Sequence, residues 1–258
     1  MNFISLLLGT IVGLVLGLLG GGGSVLAIPS LAYGLGMEAK PAVATSLVVV
    51  GVAALLASIV HARNGHVRLK IALVFGLLGG VGAVGGSQLA RLLSGTLQLV
   101  LFAGIMLVAG LRMVRSSGEE EQADGDEQPQ APRALTLGIG LAALATGVVT
   151  GIVGVGGGFL IVPALVFLVG LPMRQAVGTS LVVIVLNAIG GSLGYLAYVE
   201  VDLHTTLPFV VGAGVAGVAG SWLGQRVPAR ALRVAFGLGI VVVAVAMGAK
   251  EGWTLWSS

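Results

Sequence analysis

The sequence predicts an all-α polytopic membrane protein made of two inverted five-helix repeats. Of its 258 residues, 57% are hydrophobic and only 9% are charged, whereas soluble domains carry about 25% charged residues. The charges are clustered, so uncharged runs remain at 1–37, 41–60 and 71–90. Each run is long enough for a transmembrane helix, which needs about 20 mostly apolar residues. The mean hydropathy of +1.09 agrees with this class of protein.

The second half of the chain repeats the first at a constant offset. Residues 13–30 read GLVLGLLGGGGSVLAIPS and residues 147–164 read GVVTGIVGVGGGFLIVPA, an offset of 147 − 13 = 134. The register continues without a gap to the Thr-Ser pairs at 45–46 and 179–180. A match of this length predicts two copies of one structural unit.

The repeat divides the chain into three parts. We expect a first repeat at 1–115 and a second repeat at 134–258. The segment 116–133 between them is acidic and contains Pro and Gln, which is typical of a solvated, flexible linker.

Each copy contains five apolar stretches, of which the second is short. The stretches cover roughly 2–20, 24–36, 41–62, 71–92 and 95–114, then 134–154, 158–170, 174–198, 205–225 and 229–249. At about 1.5 Å per residue, residues 24–36 reach about 20 Å, less than the hydrocarbon core of about 30 Å. We therefore expect an interrupted helix after a Gly cluster in each copy, although a hydropathy window should show about eight spans.

The basic residues predict that the two copies have opposite orientations. The loop at 62–70 carries three Lys or Arg residues, whereas its counterpart at 198–204 carries two acidic residues and no Lys or Arg. Five crossings per copy with the N-terminus outside put ten of the 13 Lys and Arg residues inside, as the positive-inside rule favours. The alternative is eight full spans with re-entrant short stretches, which makes the two copies parallel.

The Gly clusters are the first candidates for a binding site. A helix that begins inside the membrane leaves backbone N–H groups unpaired, and its dipole makes that end electropositive. Both properties favour a bound anion, and inverted repeats with interrupted helices are a recurring plan of secondary transporters. Close helix packing is the other interpretation of the glycines. It fits the glycines at four-residue spacing best, namely Gly9, Gly13, Gly17, Gly147 and Gly151.

Polar side chains in the apolar stretches extend the candidate site. The Thr-Ser hydroxyls can donate to an anion or bond back to a carbonyl of their own helix. Asn187 is a polar group within a membrane segment, where ligand contact and interhelical bonding are both reasonable. The candidate substrate-binding residues are Gly20, Gly21, Gly22, Gly23, Ser24, Thr45, Ser46, Gly154, Gly156, Gly157, Gly158, Thr179, Ser180 and Asn187.

The sequence lacks the residues that several other functions require. The chain has no Cys, and its three His residues have no spaced partners for a metal. No arrangement of nucleophile, acid and base indicates an enzyme, and no cofactor motif occurs. The expected partners are a small anionic substrate and the lipid bilayer, without nucleic acid, and the oligomeric state stays open. No Asp or Glu lies deep within an apolar stretch, so the membrane potential is the expected driving force.

The segments GLLGGGGSVLAIPSL and GIVGVGGGFLIVPAL, each followed by a Thr-Ser-Leu helix, resemble the sulfite exporter TauE/SafE family. The resemblance covers both halves and implies a bacterial inner-membrane permease that exports sulfite, organosulfonates or related sulfur oxyanions. A passive anion channel and a membrane scaffold without transport activity are the alternatives. The first copy has Ser24 where the second has Gly158, so the two half-sites are not expected to be equivalent.

Overall fold

The protein is helical throughout the part that the structure describes. The computed structural model describes residues 2–90, 95–115, 135–153, 158–195 and 202–257. No β-strand occurs within these ranges. The prediction of an all-α fold is confirmed.

The order of long and short helices occurs twice along the chain. In the first half, α1 is Asn2–Leu19, α2 is Ser24–Pro29, α3 is Ala39–Arg63, α4 is Leu69–Ala90 and α5 is Gly95–Arg115. In the second half, α6 is Leu135–Val153, α7 is Gly158–Phe167, α8 is Met173–Tyr195, α9 is Leu203–Gly224 and α10 is Ala229–Ser257. A 3-10 turn at Gly20–Gly23 precedes α2, and a π-helical turn at Ser30–Gly34 continues it. The short second helix predicted for each copy is therefore present.

Five helical spans of the described ranges are long and apolar enough to cross a membrane. They are Phe3–Gly34, Pro41–Arg63, Leu69–Gly86, Met173–Gly190 and Leu203–Gly224, and shorter apolar helices cover Gly138–Thr150 and Gly158–Phe167. Apolar side chains also point away from the protein interior. On α4, Leu77, Val81 and Val84 are 69%, 63% and 66% exposed, as expected where lipid covers the surface. These features identify a polytopic membrane protein.

Equivalent helices of the two copies run in opposite directions. In the pair α3–α8, a Cβ added to Gly51 would lie 2.8 Å from the Cβ of Ala188, and one added to Gly178 would lie 3.0 Å from the Cβ of His61. The partner number falls as the residue number rises, so the two helices are antiparallel. The same holds for α5 and α10, where Gly110 contacts Val241 and Gly237 contacts Val114. Parallel copies are excluded, and the inverted arrangement is correct.

Glycines allow the two copies to interlock. The backbone of Gly13 in α1 contacts Ala213 in α9, and the backbone of Gly147 in α6 contacts Gly79 in α4. The two contacts are equivalent under the repeat. Gly147 corresponds to Gly13 (13 + 134 = 147), and Gly79 corresponds to Ala213 (213 − 134 = 79). A Cβ at either glycine would overlap the partner's backbone, so the packing interpretation of these glycines is confirmed.

Basic residues gather at one end of the helices, which we call the arginine-rich end. There the backbone N–H of Arg68 donates to Thr179 Oγ1 at 3.1 Å, which joins the α3–α4 loop to α8. The Arg174 guanidinium donates to the carbonyl oxygen of Val227 at 3.2 Å, which joins α8 to the α9–α10 loop. Arg226 in that loop lies with its guanidinium carbon 3.6 Å above the Trp222 ring. This end carries the residues that the positive-inside rule places inside.

Candidate functional site

The first Gly cluster forms a tight turn between α1 and α2. Gly20 has φ +67°, a left-handed conformation that side chains with a Cβ rarely adopt. Three of the four glycines of the turn are buried, namely Gly20, Gly21 and Gly23. The turn lies inside the apolar span Phe3–Gly34. Gly23 lies against Leu16 and Gly34 against Leu8, so α2 and its π-helical turn run back along α1 from this interruption of the helix.

The starts of α2 and α7 meet at this turn. A Cβ on Gly21 would overlap the carbonyl of Gly158, and a Cβ on Gly158 would overlap Ser24. Only residues without a Cβ allow this approach, which brings the backbone of Gly21, in the turn before α2, against the backbone of Gly158, the first residue of α7. Among the residues that the structure describes, the turn before α2 therefore packs directly against the start of α7.

Some polar groups of the turn are already satisfied within the chain. The backbone N–H of Ser24 donates to the carbonyl oxygen of Gly21, and Ser24 Oγ donates to the same oxygen at 2.7 Å. These donors support the turn, and they reduce the number of free N–H groups expected at the start of α2. The start of α7 follows residues 154–157, which lie outside the described ranges together with the candidates Gly154, Gly156 and Gly157.

The remaining glycines of the first cluster contact the surrounding helices. A Cβ on Gly20 would lie 2.7 Å from Ser180 Oγ, and one on Gly22 would lie 2.9 Å from the ring of Phe236. Gly23 lies against the backbone of Leu16. The turn is thus enclosed by α1, α8 and α10.

The four hydroxyls of the Thr-Ser pairs have different environments. Ser46 Oγ donates to the carbonyl oxygen of Val43 at 2.8 Å, and Ser180 Oγ donates to that of Val177 at 2.8 Å. Both serines therefore donate to a carbonyl of their own helix, which is one of the two interpretations that the sequence left open. Thr179 Oγ1 accepts the hydrogen bond from Arg68 described above.

Thr45 differs from its counterpart. Its side chain is fully buried, and its Oγ1 has no hydrogen-bond partner in the described structure. It lies in the second turn of α3, a helix that packs against α2. Since buried polar groups are nearly always hydrogen-bonded, Thr45 is the hydroxyl of the four that is available to a ligand. Asn187, the last candidate, is half-buried in α8.

A polar cluster near the arginine-rich end was missed by the sequence analysis. His61 at the end of α3 is 4% exposed, and its ring centroid lies 6.1 Å from that of His66. Burial and the positive charge of Arg174 hold the pKa of His66 below its ordinary value of 6.5. The repeat was the one sequence signal that could have pointed to this cluster. It places Tyr195 (61 + 134) and Glu200 (66 + 134) at the positions equivalent to His61 and His66, so the histidine pair belongs to the first copy alone.

The sequence is similar to those of known membrane proteins over nearly its whole length. The profile of the family described as "Sulfite exporter TauE/SafE" matches residues 5–247. A "Probable membrane transporter protein" of Xylella fastidiosa (strain 9a5c) is 37% identical over 251 residues, which cover 97% of this chain and 94% of that protein. The "Probable membrane transporter protein YdhB" of Bacillus subtilis (strain 168) is 29% identical over 84% of this chain and 86% of that protein. No solved structure gives a significant match. The chain belongs to the sulfite exporter TauE/SafE family of membrane transporters.

Proposed function

We propose that this protein is a secondary transporter that exports small anions of the sulfite, organosulfonate or related sulfur-oxyanion class. It works by alternating access in a bacterial cytoplasmic membrane and catalyses no chemical step. The observation that carries the proposal is the backbone contact between Gly21, in the turn before α2, and Gly158, at the start of α7. Helix starts attract anions through their dipoles and their N–H groups.

Thr45 supports the same position for the anion. Its buried hydroxyl is unpaired in the described structure, and a charged oxygen is the strongest acceptor that a hydroxyl can find. In this proposal the two half-helix starts hold the anion and the Thr45 hydroxyl donates to one of its oxygens. The hydroxyls of Ser24, Ser46 and Ser180 already donate to backbone carbonyl oxygens, so the proposal assigns the donation to Thr45 instead.

The inverted repeat provides a mechanism for alternating access. Two copies of opposite orientation can exchange conformations around a site on their pseudo-two-fold axis, which opens the site first to one side and then to the other. An inside-negative membrane potential favours the exit of a monovalent anion by about 2.3 kcal/mol per 100 mV. No buried carboxylate is required for this form of coupling.

The test is sulfite efflux from proteoliposomes that contain the full chain. We expect saturable efflux that rises when a potassium gradient with valinomycin makes the lumen negative. Thr45→Val should lower efflux at least tenfold. The matched control is Thr10→Val, because Thr10 is exposed and its hydroxyl donates to the carbonyl oxygen of Leu6. Efflux that never saturates would indicate a channel, and the absence of anion movement would indicate a scaffold.

A further inference from the structure

The side chain of His61 is buried without visible hydrogen bonds. It is 4% exposed, and neither Nδ1 nor Nε2 has a hydrogen-bond partner in the described part of the chain. The carbonyl of Gly17 on α1 is close to the ring, but without the geometry of a hydrogen bond. Because buried polar atoms are almost always paired, two unpaired nitrogens in one ring call for a ligand.

Two further groups at this end of the helices share this property. His66 Nδ1 and Arg174 Nε are also buried without a partner among the described residues. The rings of His61 and His66 are 6.1 Å apart, and the guanidinium of Arg174 acts electrostatically on His66. We call His61, His66 and Arg174 the histidine cluster.

The histidine cluster lies between the Gly turn and the arginine-rich end. A Cβ on Gly178 would lie 2.6 Å from the carbonyl oxygen of His66 and 3.0 Å from the Cβ of His61. Two residues further along α8, Ser180 contacts Gly20 in the turn. A path of a few residues on α8 therefore connects the cluster to the proposed central site.

The chemistry of the cluster suits an anion. Guanidinium N–H groups are donors only, and each imidazole has at least one N–H donor. With N–H···O distances of about 2.9 Å, two rings at this separation can both donate to one small oxyanion. The equivalent positions in the other copy are Tyr195, Glu200 and Lys40, because 174 − 134 = 40. The set of two histidines and an arginine thus occurs at one end of the protein.

We propose that the histidine cluster is a second binding site for the transported small oxyanion, located between the central site and the arginine-rich end. The inference depends on the proposed function, since it assigns this site to the same substrate. It captures the anion from the arginine-rich side and passes it to the turn at Gly20. The unpaired nitrogens of the cluster become paired when the anion binds.

The test uses NMR of the full chain in detergent with labelled histidine and sulfite as the probe. The chain has three histidines, so three imidazole signals can be assigned with His61→Gln, His66→Gln and His204→Gln. We expect sulfite to shift the signals of His61 and His66 saturably and to leave His204 unchanged. His204 is the internal control, because it is exposed at the start of α9.

Substitution of the arginine tests the composition of the site. Arg174→Gln should weaken the sulfite affinity read from the His66 signal at least tenfold. The matched control is Arg226→Gln at the same end, whose guanidinium is exposed above Trp222. Equal weakening by both variants, or equal shifts with chloride, would show a general charge effect and overturn the site.

Flux measured on the same preparations separates this inference from the proposed function. If sulfite is transported but the His61 and His66 signals do not respond at saturating sulfite, the histidine cluster is not a binding site and the transporter proposal stands. If sulfite is neither transported nor bound, both proposals fail. Should a variant fold poorly, the wild-type signals still decide, since they need no substitution beyond assignment.

Discussion

The backbone N–H of Arg68 donates a hydrogen bond to Thr179 Oγ1 at 3.1 Å. This bond fixes the α3–α4 loop against the second turn of α8. The repeat offset of 134 places Asp202 and Thr45 at the equivalent positions, yet Thr45 Oγ1 has no partner among the described residues. Two threonines related by the repeat therefore differ: Thr179 accepts a hydrogen bond, and the hydroxyl of Thr45 is unpaired in the described structure.

Valine substitution should lower stability at Thr179 but not at Thr45. Thr179→Val removes the acceptor of the Arg68 N–H and should lower the free energy of unfolding by about 0.5–1.5 kcal/mol, the net contribution of one hydrogen bond. Thr45→Val removes a hydroxyl that is buried and unpaired, so it should leave stability unchanged or raise it. Equilibrium unfolding of both variants in one detergent measures the difference. A loss of stability at Thr45 as large as that at Thr179 would contradict the assignment.

Replacing Gly20 should lower stability through both its backbone conformation and its side-chain contact. Its φ of +67° makes a Cβ strained by about 1–2 kcal/mol, and the Cβ would also lie 2.7 Å from Ser180 Oγ. Gly36 is the matched control, because it has φ +68° and nothing within 4 Å of an added Cβ. Gly36→Ala should therefore show the strain alone, and Gly20→Ala should lose more thermal stability.

The crowding at Gly20 can be separated from its backbone strain. Ser180→Ala removes the nearest atom and should recover part of the stability lost in Gly20→Ala. The remaining loss should match that of Gly36→Ala, except for the contact with Val177 at 3.2 Å. Additive effects of the two substitutions would show that the side chains do not interact.

The repeat and the charge pattern predicted most of the fold, because both depend on local sequence. The short second helix of each copy and the opposite orientation of the two copies followed from the offset and the loop charges. The hydroxyl partners did not follow, since the bond between Arg68 and Thr179 joins residues 111 positions apart. The histidine cluster was missed for the same reason, because only tertiary packing brings His66 close to Arg174.

Glycines at helix contacts should tolerate alanine far less than glycines that face lipid. Gly13→Ala places a Cβ against the backbone of Ala213, which cannot move without separating α1 from α9. Gly85→Ala on α4 meets nothing within 4 Å and should gain up to about 1 kcal/mol from higher helix propensity. Thermal unfolding of both variants provides the measurement. Equal tolerance at the two positions would mean that α1 and α9 do not pack through Gly13.

Asp202 should make stability depend on pH at the start of α9. Its carboxylate accepts hydrogen bonds from Thr205 Oγ1 at 2.6 Å and from the backbone N–H of His204 at 3.0 Å. These bonds hold the pKa of Asp202 below its ordinary value of 3.8. The stabilisation is therefore complete above that value and is lost as the pH falls through the lower pKa of the folded state. Asp202→Asn keeps an acceptor for the His204 N–H and should flatten the acid side of a Tm-against-pH curve.

The charge of Arg174 should lower the pKa of His66. Burial is the larger cause of the low pKa of His66, and the guanidinium charge of Arg174 is the second. Arg174→Gln should therefore raise the pKa of His66 without restoring it to 6.5, since the burial remains. The folded protein binds this proton more weakly than the unfolded chain, so the contribution of His66 to stability is present above pH 6.5 and falls as the pH is lowered. Titration of the His66 imidazole signal measures the change, with Arg226→Gln as the control. An unchanged His66 pKa in Arg174→Gln would show that the guanidinium does not act on this ring.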